Sequence, residues 1–172
     1  MSITPLQNYS ALDGEEPLIH ALGKDAGARL QVSLSKCIES QRVYITTRVS
    51  DLSAPPEPIS SASVWVTVRF RTAPGKTQDY ENYFKTDLVP VYAKAKAAGK
   101  IAGYSFSRRG FGGDPLDRTL VIYANKFADL EAGNPLTQVL GQEAAGKLQA
   151  KGTGLATVVE QLVRRRVADL SF

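Results

Sequence analysis

The chain has 172 residues, 43% of them apolar and 22% charged, with a formal net charge of +4 and an isoelectric point near 9.2. This is the composition of a folded globular protein, not a disordered chain, and a small basic excess spread along the sequence speaks for solubility, not nucleic-acid binding. A single cysteine, Cys37, and a single histidine, His20, exclude an internal disulfide, a cysteine-rich metal site and a multi-histidine zinc or iron site, so no metal or cofactor is expected.

The first residues, Met1-Ser2-Ile3-Thr4-Pro5-Leu6, have neither a basic region nor a long apolar run and are not read as a signal peptide. No run of eighteen apolar residues exists to cross a membrane; the compartment stays unassigned, with the cytoplasm as the default. A weak strand is predicted at about 3–9, a helix from Pro17 to about Glu39 and a strand from Arg42 to Val49. Ala54-Pro55-Pro56-Glu57-Pro58-Ile59-Ser60-Ser61-Ala62-Ser63 follows and reads as an extended linker.

Val64, Val66, Val68 and Phe70 then alternate with Trp65, Thr67, Arg69 and Arg71, the period of a strand with one apolar face. Ala73-Pro74-Gly75-Lys76 turns the chain. Thr77 is a plausible N-cap, Asp79 and Glu81 suit the positive end of a helix, and Tyr80, Phe84, Leu88 and Val91 recur at helical spacing. Pro90 is expected to kink this helix and Gly99 to end it. Strands are predicted at 101–109 and 119–127 around a hairpin loop, Gly110-Phe111-Gly112-Gly113-Asp114-Pro115. Asn134-Pro135 starts another helix, Gly152-Thr153-Gly154 breaks it, and 158–167 is the last strand. The order over 64–172 is β-α-β-β-α-β.

Sliding the chain by 118 residues aligns 9–53 with 127–171 without a gap, and 13 of these 45 positions are identical. Chance supplies about three, so the chain reads as internally repetitive. Pro17, Leu18, Leu22, Gly23, Ala26, Leu30 and Gln31 match Pro135, Leu136, Leu140, Gly141, Ala144, Leu148 and Gln149. A second block, 48–53, matches 166–171. The segment before the linker therefore corresponds to the second half of the complete unit. The organisation expected is a βαβ half-repeat over 1–53, a linker over 54–63 and a complete ferredoxin-like unit over 64–172, of α+β class.

The first strand and its turn, Val66-Thr67-Val68-Arg69-Phe70-Arg71-Thr72-Ala73-Pro74-Gly75-Lys76, with Tyr80, Phe84 and Leu88-Val89-Pro90-Val91-Tyr92 after it, resemble the dimeric α+β barrel superfamily in its NIPSNAP-like and antibiotic-biosynthesis-monooxygenase-like branches. The resemblance implies pairing through sheet faces into an eight-stranded barrel, hence a homo-oligomer, a dimer at its simplest. Its members include cofactor-independent monooxygenases, isomerases, haem-binding proteins and others without known activity, so the fold alone licenses no reaction. The function expected is small-molecule binding or cofactor-independent catalysis of a monooxygenase-like or isomerase-like kind; the alternative is a non-catalytic homo-oligomerising structural module. The half-repeat would complete a barrel within the chain poorly, pair with another chain's half, or belong to a longer two-repeat protein; the last two are favoured.

Tyr80, Tyr83, Phe84, Tyr92, Tyr104, Phe106 and Tyr123 are the candidates for lining an apolar pocket, for a small apolar or aromatic ligand, against the plainer reading of core packing. Trp65, Arg69 and Arg71, with Thr67, are assigned to the barrel interior. Buried arginines there need carboxylates, an anionic ligand or ion pairing to a second subunit. No nucleophile–base pair stands out, no Gly-x-Ser-x-Gly elbow is present, and no catalytic residue is assigned. His20, matched by Gln138, reads as a surface histidine. Cys37 reads as a small buried hydrophobe, and Arg108-Arg109-Gly110-Phe111-Gly112-Gly113 as a hairpin turn, not an RNA-binding segment.

Overall fold

The structure, a computed structural model, describes residues 10, 13, 17–39, 43–131 and 133–166; the strand expected at 3–9 lies outside them. It is a mixed α+β protein with a five-stranded antiparallel sheet, and the chain divides into two compact units, Met1–Arg42 and Val43–Phe172.

In the first unit the expected long helix is two helices, α1 (Pro17–Leu22) and α2 (Lys24–Ser35). Gly23 separates them with φ 78° and ψ 162°, a conformation only glycine reaches without strain. Its N–H still donates to Ile19 O at 2.9 Å, and Gly27 N–H donates to Gly23 O at 2.8 Å.

The second unit starts with β1 (Ile45–Arg48), then runs through β2 (Val64–Thr72), α3 (Thr77–Tyr83), α4 (Val89–Ala97), β3 (Gly103–Phe111), β4 (Asp117–Ala124), α5 (Ala128–Glu131), α6 (Pro135–Leu140), α7 (Gln142–Thr153) and β5 (Ala156–Arg165). The strand order is β1-β3-β4-β2-β5, so β1 and β5 are the edges among the described residues. Between α3 and α4, Phe84–Leu88 form a single π turn. Pro90, in the first turn of α4, has no N–H for the Thr86 carbonyl and its ring crowds that group, which explains why the distortion falls here. Thr77 opens α3 but does not cap it, since its hydroxyl bonds to that of Thr72 at 3.0 Å. Asn134 caps α6 as expected, its Oδ1 accepting from Leu136 N–H at 2.9 Å. Gly141, φ 80° and ψ 165°, then separates α6 from α7, which runs on through Gly152.

The proline-rich stretch is strapped onto the second unit. Ala54 exchanges hydrogen bonds with Tyr104, at 2.9 and 3.1 Å. Lys96 Nζ donates to the carbonyls of Ala54 and Pro55, at 3.2 and 3.3 Å. Leu52 and Ala62, on either side, are buried. The division between compact units falls after Arg42, because β1 pairs with β3 instead of staying with the helices before it.

One apolar layer fills the space between the helices and the sheet. Phe84 and Phe106 are fully buried at its centre, each burial contributing about 2–3 kcal/mol. At Gly103 the backbone of β3 passes so close to the strap that an added Cβ would lie 2.5 Å from Ala54 O and 2.8 Å from Pro56 Cδ. Gly103→Ala should therefore cost about 1–3 kcal/mol, an overpacking penalty. Calorimetry should show a melting temperature lowered by several degrees with the far-UV spectrum unchanged; an unchanged melting point would mean the strap can lift off.

Candidate functional site

Six of the seven aromatic candidates meet in the layer between α3–α4 and the sheet. Phe84 and Phe106 have ring centroids 4.4 Å apart, Tyr92 and Tyr104 5.5 Å, Phe84 and Tyr92 6.1 Å, and Tyr80 and Phe106 6.4 Å. These separations are those of rings in contact. Tyr83 O–H donates to Leu148 O at 2.8 Å, tying α3 to α7. Burial pushes the Tyr83 hydroxyl up to about 12 and raises Tyr80, Tyr92 and Tyr104 as well. These phenols are protonated at neutral pH, and Tyr83 serves as a donor.

Tyr123 is not part of this layer. Strand parity puts it on the opposite sheet face, paired with Trp65 across β2–β4. Its ring meets Trp65 edge-on at 5.5 Å, and its hydroxyl bonds to that of Ser105 at 3.0 Å.

Sequence reading missed Glu81. Beyond facing the helix N-terminus, it is buried beneath α3 and held by two arginines from the sheet. Arg108 grips it with two bonds, Nε to Oε1 at 2.9 Å and Nη2 to Oε2 at 2.5 Å. Arg118 adds Nε to Oε1 at 2.9 Å, and its Nη1 donates to the carbonyls of Pro115 and Asp117. Burial pushes the Glu81 carboxyl up, but the hydrogen bonds from Arg108 and Arg118 outweigh it and hold the group below the ordinary carboxylate range. A cleft of about 110 Å³ opens beside this clamp, lined in part by Asp51, Lys85 and Arg108. The signal was present in the pattern: Glu81 lies three residues before Phe84, and Arg108 and Arg118 share the strand parity of Phe106 and Leu120.

The other sheet face carries Trp65, Thr67, Arg69 and Arg71, as expected, and supplies its own carboxylate. Asp117, buried, stands directly opposite Arg71 and bonds its Nε at 3.0 Å. Asp114 lies 3.2 Å from the same nitrogen, and Arg71 is more basic than usual because of Asp117. Arg69 and Arg109 reach the Asp117 carboxylate only at 3.7 and 3.6 Å. Arg109, 4% exposed, stacks over Tyr44 with its guanidinium carbon 4.1 Å from the ring centroid. The Nε–H groups of Arg69 and Arg109 are buried without a hydrogen-bond acceptor. Trp65 Nε1 donates to Ala62 O at 3.2 Å.

His20 is exposed on α1. Cys37 corrects its expectation: it is exposed, past the end of α2, with its thiol donating to Ser33 O at 3.6 Å, because among the described residues nothing packs over that helix end. The arginines before the glycine loop are used internally, Arg108 by Glu81 and Arg109 beside Asp117. Among the described residues no group of histidine, cysteine and acidic side chains is arranged to hold a metal ion, and no helix is long and apolar enough to cross a membrane. Compared with protein-family models, curated proteins and solved structures, the chain matches none.

The Glu81 clamp has a pH signature. Its stabilisation is present above the ordinary glutamate value of 4.5 and is lost as pH falls through the lower folded-state pKa. Denaturant titrations from pH 7 to pH 3 should show stability falling in the wild type and a flatter profile in Glu81→Gln. At pH 7 the variant should be weaker by about 3 kcal/mol, the cost of breaking a buried pair. Parallel pH profiles for the two proteins would remove Glu81 from this role.

Proposed function

We propose that this protein is a self-associating module of the ferredoxin-like, dimeric α+β barrel type, one complete βαββαβ unit preceded by half of another, whose role is assembly and not catalysis. The order β5-β2-β4-β3 supports the ferredoxin-like reading, since it places the first and third strands of the unit between the fourth and the second. The repeat is supported by α1–Gly23–α2 and α6–Gly141–α7, which have the same bounds 118 residues apart and glycine torsions within 3° of each other. The barrel type is supported by β1. Its counterpart under the shift is the end of β5, and it lies on the β3 edge of the unit.

One observation carries the assembly role: β5 is a ten-residue edge strand, exposed along nearly its whole length and rich in large apolar side chains. Such an edge is a template for another strand. The six aromatics between helices and sheet pack on one another, so an apolar ligand there would have to displace rings already in contact. Native mass spectrometry and light scattering at micromolar concentration should give twice the 18.6 kDa chain mass. A monomer at every accessible concentration would sink the proposal.

The small-molecule reading draws on the two buried Nε–H donors of Arg69 and Arg109, which fit an anion such as a carboxylate or phosphate. Titration calorimetry with inorganic phosphate should then show binding that Arg109→Met abolishes; no heat in the wild type would leave the assembly reading alone.

A further inference from the structure

We infer that β5 is the self-pairing edge of this protein: two copies join antiparallel, β5 against β5, about a two-fold axis at Leu162. This rests on the self-association proposed above and adds the strand, the register and the contacts.

The two edges of the sheet differ in kind. β1 is four residues long, shifts register between Ile45 and Thr46, and exposes Thr46, Thr47 and Arg48. Short, bulged, polar edges resist pairing. β5 is ten residues long, and Val158, Val159, Leu162 and Val163 are 59, 41, 36 and 50% exposed. The two pairs flank the midpoint of the strand, each two residues in from an end, so a partner strand laid along the edge covers all four.

Backbone geometry limits the register. Arg166 N–H donates to Ser63 O at 2.8 Å. Hydrogen-bonding direction alternates along an antiparallel strand, so Arg164 and Leu162 also turn their backbone groups toward β2. Gln161, Val163 and Arg165 turn theirs to the free edge. An incoming copy must set free-edge residues opposite one another. An axis at Leu162 does this, with Gln161 opposite Val163 in both directions.

Charge then selects among the permitted registers. With the axis at Leu162, Glu160 of each copy faces Arg164 of the other, twice over by symmetry. The two side chains share one sheet face: Glu160 lies 3.7 Å from Arg69, and Arg164 Nη1 donates to Thr67 Oγ1 at 2.7 Å. Moving the axis to Gln161 puts Glu160 opposite Leu162. The axis at Leu162 sets Leu162 against its own copy and each Glu160 against an Arg164, whereas the axis at Val163, which offers Glu160 to Arg166, leaves Leu162 against Arg164.

The full chain tests this through cysteine cross-linking and charge exchange. Leu162 would face its own copy in a non-hydrogen-bonded pair with Cα atoms about 4.5 Å apart, within disulfide range. In a Cys37→Ser background, Leu162→Cys should convert most of the protein to a reducible covalent dimer under mild oxidation. Val158→Cys should not, because its copies would sit about 26 Å apart at strand rise. Glu160→Arg should weaken dimerisation at least tenfold, and Glu160→Arg with Arg164→Glu should restore it to within about threefold of wild type. Circular dichroism on each variant separates a pairing defect from a folding defect. A wild-type dimer that Leu162→Cys does not lock and charge exchange does not rescue would overturn the β5 axis while leaving self-association standing. A wild-type monomer would overturn both.

Discussion

The larger unit hangs on the seam where α3 and α4 meet β3 and β4. Phe84 drops from the helix onto Phe106 of the sheet, and one turn earlier Glu81 drops onto Arg108 and Arg118. The apolar contact supplies most of the driving force, since burying rings is favourable whatever their orientation. The ion pairs supply register. A guanidinium fork accepts a carboxylate in few geometries, and a buried carboxylate displaced by one helical turn would lose both partners. The helix is fixed along its axis by charge and against the sheet by aromatic packing. The π turn at Phe84–Leu88 falls between these anchors and Pro90.

The opposite sheet face follows another logic. Asp117 stands among Arg69, Arg71 and Arg109, and only Arg71 makes a close bond to it. Arg69 turns its Nη1 toward Asp117 and its Nε toward Glu160, at 3.7 Å each, and neither this Nε–H nor that of Arg109 has an acceptor at hydrogen-bond distance. The basic residues that stand out in the sequence are thus largely committed to neighbours in their own chain. Exposed apolar side chains include Val158, Val159, Leu162 and Val163 on β5, and Val43 and Phe111 beside β1.

The stretches matched at 118 residues show how far local sequence reaches. Gly23 and Gly141 adopt nearly the same torsions and break their helices at the same point, because a positive φ there is a property of glycine and its immediate neighbours. Burial does not carry across. Leu140 and Leu148 pack against the core of the second unit, whereas their counterparts Leu22 and Leu30 are exposed in the first. Helices with the same bounds differ in burial because α6 and α7 have α4 and Tyr83 packed against them.

The sequence by itself determined the alternation of β2, the helix over Tyr80, Phe84 and Leu88, the Asn134 cap and the order of elements from β2 to β5. These depend on periodicity and capping, which act over a few residues. It also placed Trp65, Arg69 and Arg71 on one face, since parity in a strand is a local property. Tyr123 was grouped with the wrong rings, because a list of aromatics ignores the side of the sheet each residue occupies. Residues 54–63 read as a linker because proline and serine are common in linkers. Their attachment to Tyr104 and Lys96 is a contact with residues some 40–50 positions away. Separations of 27 and 37 residues hid Arg108 and Arg118 from Glu81, and one of 46 hid Arg71 from Asp117. Only the tertiary structure could decide them, because a buried charge is defined by what the fold brings beside it and not by its neighbours along the chain.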